Sequence, residues 1–170
     1  QIAAETEHGL IVGLDVTSTG ADQPSLEPMA KQVEQRTGRA PARVLADGGF
    51  FSHASVTALT RAGIEVLIPP PKPKKDRDRN APAPRDTDEV TALRRRIAQE
   101  ANQARYRERA RWIEWVNAGW RNRAWRQVAV RGRHKVLMLA RWQAMAHNLT
   151  CILRADCLRT VFGLPVPQRD

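Results

Sequence analysis

The sequence is poor in cysteine and has no long apolar run. Its two cysteines, Cys151 and Cys157, lie in one apolar stretch, too few for a disulfide framework or a cysteine-based metal site. No apolar segment approaches the ~18–20 residues needed to span a bilayer. The chain also opens without an initiating Met or a basic signal peptide, which indicates a segment of a longer protein. These absences exclude a disulfide-stapled secreted domain and a membrane span, and we expect a cytoplasmic protein.

Acidic residues are scarce in the second part of the chain. The 170 residues are 42% hydrophobic and 27% charged, as in one soluble globular domain. Residues 1–70 hold five basic and eight acidic side chains, whereas residues 71–170 hold 23 and 10. Arginine dominates this basic part, and its planar guanidinium suits phosphate. The charge therefore favours a polyanion partner, and a merely solvated helix surface remains the alternative.

Strands alternate with helices over residues 1–68, which is typical of an α/β layer with parallel strand pairing. The first two predicted strands, at 2–5 and 9–17, form a hairpin. A helix follows, with Asp22 as its N-cap and Gly38 as its end, and then a strand at 43–47. The next helix is capped by Ser52 and ended by Gly63, and a strand at 64–68 comes after it.

Proline and charge then interrupt the pattern. Residues 69–86 predict an exposed, disordered connector without apolar anchors. A long arginine-rich helix follows over 87–123, with a possible break near Gly119, and a second helix over 132–158. We therefore expect an α/β part at 1–68, the connector at 69–86, a helical part at 87–160 and a tail at 161–170.

Two carboxylates are candidates for chemistry. Asp47 ends a short apolar strand and precedes two glycines, and ligands of α/β sheets bind at the carboxyl ends of strands. Glu114 lies in the predicted basic helix and shares a face with Arg107 and Arg121. The alternatives are a turn-forming Asp47 and a surface salt bridge of Glu114 with arginines a turn or two away on the helix.

Aromatic and histidine side chains leave two interpretations open. All five tryptophans lie between 112 and 142, where they could stack on nucleic acid, but Trp112, Trp115 and Trp142 better fit core packing between two helices. His147-Asn148 could be a ligand pair, although a hydrogen-bonded polar spot is the more ordinary interpretation. The other histidines form no spaced metal cluster.

Several segments, taken in order, resemble DDE transposases of bacterial insertion sequences. Residues 44–52, VLADGGFFS, are similar to the stretch around the second catalytic Asp of that family, and the segments at 1–5, 16–17 and 22–29 resemble the run before it. Tyr106, Arg109 and Glu114 match its tyrosine–arginine–glutamate signature, with Arg121 in the position that often holds Lys. Residues 131–135 and 146–149 resemble the segment that follows.

This resemblance implies an α/β, ribonuclease-H-like fold with a mixed sheet, flanking helices and long C-terminal basic helices. It implies Asp47 and Glu114 as catalytic residues and ligands of Mg²⁺ or Mn²⁺ in a two-metal site. The partner would be double-stranded DNA, at transposon ends and target, and a homodimer is compatible with it. The residues implied to contact DNA are Tyr106, Arg107, Arg109, Arg111, Arg121, Arg131 and Lys135.

The chain departs from the family at one point. No residue before Asp47 matches the first catalytic Asp, and Asp15 does not fit its strand. The expected fold is therefore incomplete at its N-terminal side, and we expect a DDE transposase catalytic region that is inactive without an upstream Asp. The alternative is a non-catalytic basic DNA-binding module derived from a transposase.

Overall fold

The computed structural model describes residues 1–71, 78–122 and 128–154. The predicted tail at 161–170, Cys157 and the predicted end of the last helix at 158 lie outside these residues. The described strands are β1 (Ile2–Ala4), β2 (Ile11–Leu14), β3 (Arg43–Leu45) and β4 (Glu65–Leu67). The helices are α1 (Leu26–Thr37), α2 (His53–Arg61), α3 (Asp88–Ala98), α4 (Glu100–Asn122) and α5 (Arg133–Arg154).

The strands form two small sheets. β1 and β2 make an antiparallel hairpin in which Ile2 lies opposite Leu14. β3 and β4 are parallel, with Arg43 opposite Glu65 and Leu45 opposite Leu67. The α/β class and the parallel pairing are thus confirmed. In the described residues, however, the four strands form two separate two-stranded sheets, where we expected one mixed sheet.

The chain divides into two compact units. The first unit contains Gln1–Thr17 and Trp112–Asp170, and the second unit contains Ser18–Arg111. The second unit packs α1, α2 and α3 around β3 and β4, with a core of large aliphatic side chains. Its most deeply buried members include Val56, Val66, Ile68, Val90 and Leu93.

Local signals at the ends of α1 and α2 act as predicted, with one exception. Gly38 ends α1 in a left-handed conformation (φ 75°), and the Ser52 hydroxyl caps α2 by accepting a hydrogen bond from the Ser55 amide at 3.0 Å. Asp22 precedes a short 3-10 turn at Gln23–Ser25, and its side chain makes no capping hydrogen bond. The prediction of Asp22 as the N-cap of α1 is therefore wrong, because the extra turn moves the start of the α-helix to Leu26.

The predicted long helix is interrupted at Gln99 and not at Gly119. Gln99 adopts an extended conformation (φ −68°, ψ 133°), which ends α3 and separates it from α4. Gly119 lies inside α4, where a Cβ atom would meet the ring of His147 at 3.8 Å, an ordinary contact distance.

The connector is anchored at both described ends. Pro70 is fully buried, and the Arg79 guanidinium donates to its carbonyl oxygen. Asp86 accepts a hydrogen bond from the Ala83 amide at 2.7 Å and pairs with Arg94. The expectation of a connector without anchors is therefore wrong for these ends. The rest of the predicted disorder, at 72–77, lies outside the described residues.

The first unit packs α5 and the second part of α4 against the β1–β2 hairpin. α5 buries Ala140, Ala144, His147 and Cys151, mostly small side chains that allow close approach to β2. Trp142 is 68% exposed, so the prediction that it packs in the core between two helices is wrong. The hydrophobic pattern of α5 covers more than one face, and only the packing partner decides which face is buried.

Candidate functional site

Asp47 occupies the carboxyl end of a parallel strand, as predicted. It follows β3 by two residues and caps the 3-10 turn Gly48–Phe50, where its Oδ1 accepts a hydrogen bond from the Gly49 amide at 2.9 Å. The residue is exposed. The interpretation as a turn-forming Asp is therefore correct, and the same geometry presents the carboxylate to ligands at the edge of the sheet where α/β proteins bind them.

A second carboxylate, Asp22, lies beside the same turn. A Cβ atom added at Gly49 would meet Asp47 Oδ1 at 3.0 Å and Asp22 Oδ2 at 3.6 Å, so both carboxylates flank this glycine. Sequence reasoning assigned Asp22 to a helix cap and missed this proximity. No local signal could have revealed it, because the segment before α1 meets the turn after β3 only in the folded unit.

Tyr106 and Arg109 share the environment of Asp47. Burial raises the pKa of the Tyr106 hydroxyl, Arg109 opposes that shift and the negative charge of Asp47 adds to it. The Arg109 guanidinium lies over the Tyr106 ring, 5.2 Å from its centroid. In the second unit the charge of Asp47 thus acts on a pair of residues that follow it 59 and 62 positions later in the chain.

Arg79 is a further basic neighbour of this group, and sequence reasoning missed it. A Cβ atom added at Gly48 would meet the Arg79 Nη2 atom at 3.7 Å, and the charge of Arg79 also acts on Tyr106. The charged run around 72–79 predicted only a solvated connector, so nothing in the sequence pointed to the turn after β3. We call Asp47, Arg79, Tyr106 and Arg109 the Asp47 cluster.

Arg109 retains an unused donor. Its Nε atom is buried and has no hydrogen-bond partner in the described part of the chain. Buried polar atoms are nearly always satisfied, so an orphaned guanidinium N–H is a place for an anionic acceptor.

Glu114 lies on α4 in the first unit and is exposed between Trp112 and Trp115. Within the described residues, no ion pair joins Glu114 to Arg107 or Arg121, and Arg121 Nε donates to the Asn117 carbonyl at 3.4 Å. The predicted surface salt bridge is therefore absent, and the Glu114 carboxylate is open to other ligands. A metal shared by Asp47 and Glu114 stays a prediction.

The other predicted DNA contacts are surface residues. Five of the seven are exposed: Arg107, Arg111, Arg121, Arg131 and Lys135. Tyr106 and Arg109 are half-buried in the Asp47 cluster.

Three potential metal ligands also meet in the β1–β2 turn. The ligand atoms of Glu5, Glu7 and His8 lie within 4.8 Å of one another, although the sequence predicted no cluster containing a histidine. The Glu5 carboxylate already accepts hydrogen bonds from the amides of Glu7, His8 and Leu10 at 2.7–3.1 Å. These bonds explain the cluster as the closure of a turn.

His147 and Asn148 hold the hairpin, in agreement with the prediction of a hydrogen-bonded polar spot. His147 Nε2 lies 3.0 Å from the Gly9 carbonyl oxygen. The Asn148 side chain accepts from the Ile11 amide at 2.8 Å and donates to the Ile11 carbonyl at 2.9 Å. Trp115 packs edge-on against His147, so this tryptophan joins the same contact.

Fold and site together define a mixed α/β protein with an exposed carboxylate beside a tyrosine and two arginines. Residues 1–149 match the family described as transposase DDE domain, and the chain belongs to that family. Its setting is therefore DNA transposition and recombination, of the kind that insertion sequences carry out. Comparison with curated proteins and with solved structures gave no match. No helix in the described residues is both long and apolar enough to cross a membrane.

Proposed function

We propose that this chain carries a catalytic region for DNA strand cleavage and strand transfer in transposition. The observation that supports this most is the Asp47 cluster, in which the charge of a carboxylate at the carboxyl end of a parallel strand acts on the tyrosine of the family signature, and the signature arginine lies over that tyrosine ring. We also propose a ligand set of Asp47 and Glu114, and a ribonuclease-H-like arrangement of the strands.

The residues at Asp47 fit a divalent cation. Two carboxylates flank Gly49, and Asp47 is exposed with one oxygen oriented by a backbone amide. Carboxylate oxygens are the ligands that Mg²⁺ and Mn²⁺ prefer. When bound in a two-metal site, such ions activate the attacking oxygen and stabilise the leaving oxygen of the phosphodiester.

The remaining members of the cluster bind and orient DNA. The half-buried guanidinium of Arg109 and the guanidinium of Arg79 add positive charge next to the turn, which favours a phosphate there. The Tyr106 hydroxyl, whose pKa is raised by burial and by the charge of Asp47, is protonated near neutral pH like an ordinary tyrosine and serves as a hydrogen-bond donor.

Charge-neutral variants test this proposal. In the protein extended upstream to include an Asp-bearing strand, Asp47→Asn and Glu114→Gln should reduce Mg²⁺-dependent cleavage of a transposon-end duplex at least about 100-fold, because each removes a charge at the reacting phosphate. Asn also caps helical turns, so Asp47→Asn preserves the turn. The matched control is Glu108→Gln, an exposed carboxylate on the same helix as Glu114. Normal cleavage by either variant contradicts the proposal.

A non-catalytic DNA-binding module is the second candidate, and the exposed arginines of α4 favour it. It is distinguished by the same assay, because a module of this kind binds duplex DNA and shows no metal-dependent cleavage even in the extended protein. For the 170-residue chain alone we expect negligible cleavage under both proposals, since no residue matches the first Asp of the family.

A further inference from the structure

The second unit contains a basic cleft where α3 meets α4. Its volume is about 460 Å³, and it lies between the last turn of α3, the first turns of α4 and the start of β4. The lining side chains used below are Glu65, Arg95, Arg96, Gln99, Asn102 and Arg105. We propose that this cleft binds the phosphodiester backbone of DNA, separately from the Asp47 cluster. The inference relies on DNA as the ligand of the proposed function and not on cleavage.

The interruption at Gln99 creates the cleft. Because Gln99 is extended, the basic last turn of α3 and the first turns of α4 meet at a corner instead of continuing along one axis. Ala101 in the first turn of α4 lines the cleft. The amides of Asn102 and Gln103 already donate to the Gln99 carbonyl at 3.0 Å, so the arginine side chains supply the attraction for an anion.

Asn102 holds the lining in place. It is 5% exposed, and its Nδ2 donates to the Arg96 carbonyl at 2.9 Å and to Gln99 Oε1 at 3.0 Å. Its Oδ1 accepts from Arg105 Nη1 at 3.3 Å. The corner and one of its guanidinium groups are therefore oriented before any ligand arrives, which lowers the entropy lost on binding.

The charge of the cleft is positive. Three arginines face one carboxylate, Glu65, which pairs closely with Arg43 and lies 3.8 Å from Arg96 Nε. Arg95 is exposed and makes no ion pair with the residues that the structure describes. Basic residues in the last turn of α3 also stabilise that helix by interacting with the negative end of its dipole. This effect does not explain the presence of Arg105, which lies on α4. Guanidinium forks match phosphate oxygens, so a polyanion is the fitting ligand.

This cleft lies at the end of the β3–β4 sheet opposite Asp47. Arg43 and Glu65 face each other at the amino ends of the parallel strands, whereas Asp47 follows the carboxyl end of β3. Asp47 lies four residues after Arg43 along the chain, and an extended segment of that length rises about 13 Å. Duplex DNA carries one charge per ~1.7 Å of its axis, so its backbone can supply phosphates to both ends.

Metal-free binding of duplex DNA tests the cleft. We would measure the affinity of the 170-residue chain for a short duplex by fluorescence anisotropy in EDTA over a salt series. Arg95→Gln and Arg105→Gln should each reduce the slope of log K against log salt by about 1, and the double variant should weaken binding about 10-fold. The matched control is Arg39→Gln, which removes one exposed charge of the same unit and should leave the slope unchanged.

Inorganic phosphate provides a second readout. Phosphate should shift the side-chain amide NMR signals of Gln99 and Asn102 in the wild-type chain and not in the double variant. If phosphate shifts these NMR signals but the variants keep the wild-type slope of log K against log salt for DNA, the cleft holds an adventitious ion only, and the proposal is overturned. A double variant that binds DNA like the Arg39→Gln control also overturns it, as does absence of DNA binding by the wild-type chain. The assay is run in EDTA and measures no cleavage, so failure of the cleavage proposal is recognised separately.

Discussion

At the scale of single residues, Gly9 is constrained twice. Its backbone is left-handed (φ 73°), and a Cβ atom would meet Trp115 at 2.7 Å and Trp112 at 3.0 Å. Trp112 and Trp115 also pack edge-on against each other, with ring centroids 6.1 Å apart. These two tryptophans therefore cover the hairpin turn, and the interpretation of them as packing residues is supported for this pair.

Replacing Gly9 by Ala should lower the free energy of unfolding by about 3 kcal/mol, because backbone strain adds to overlap with the indole rings. Gly38→Ala is the matched control. Gly38 has nearly the same φ, 75°, and nothing lies within 4 Å of an added Cβ atom, so we expect a loss of about 1 kcal/mol. Urea unfolding followed by circular dichroism measures both. Equal losses would show that contact with the tryptophans is unimportant.

At the scale of elements, a buried ion pair joins α3 to the segment before it. The side chains of Asp86 and Arg94 are 1% and 8% exposed, and Arg94 Nε lies 2.6 Å from Asp86 Oδ2. Arg94 also donates to the Arg79 carbonyl, and His53 Nε2 lies 3.1 Å from Asp86 Oδ1. Burial alone would raise the pKa of Asp86, but hydrogen bonds from Arg94, Ala83 and His53 lower it below its usual value.

Because the folded-state pKa of Asp86 is lowered, its contribution to stability is complete above the ordinary Asp pKa near 3.9 and disappears as pH falls through the folded-state value. Asp86→Asn should lower the free energy of unfolding at pH 7 by about 3 kcal/mol, since Arg94 stays buried without its charge partner. The variant should also lose less stability than the wild-type chain as the pH falls below about 4, because it lacks the carboxyl group that becomes protonated there.

The control for Asp86 is Glu27→Gln, which breaks the solvent-exposed pair of Glu27 with Lys31. Exposed pairs are screened by water and salt, so this variant should change stability little. Thermal unfolding at several pH values compares the two variants. If Asp86→Asn has the same pH dependence as the wild-type chain, the acid response originates elsewhere.

At the scale of the whole molecule, charge is segregated along the chain. Residues 71–170 carry the basic excess, and the exposed DNA-contact candidates all lie in it. Phosphate contacts of this kind give binding that depends steeply on salt and little on sequence.

We therefore expect similar affinities for unrelated duplexes of one length, measured without metal. The triple variant Arg107→Gln, Arg111→Gln and Arg121→Gln should reduce the salt slope by about 3, because each arginine neutralises one phosphate. The control carries the same loss of charge at exposed positions outside the basic part: Lys31→Gln, Arg36→Gln and Arg39→Gln. Equal effects of the two triple variants would contradict a binding surface in the basic part.

The sequence by itself determined features that depend on a few neighbouring residues. The Ser52 cap and the Gly38 terminus follow from side-chain hydrogen bonding and backbone freedom within one turn, and both are confirmed. The position of Asp47 after a parallel strand follows from the alternation of strands and helices. Motif order also indicated the transposase family, which the match over residues 1–149 confirms.

Only the tertiary structure decided which distant segments meet. It placed Asp22 and Arg79 beside the turn after β3, ended α3 at Gln99, and buried the small side chains of α5 while leaving Trp142 exposed. These outcomes depend on which surface packs against which, and hydrophobic periodicity along one segment contains no information about its partner. The buried Asp86–Arg94 pair was hidden for the same reason, since charge within a proline-rich run predicts solvation until another element covers it.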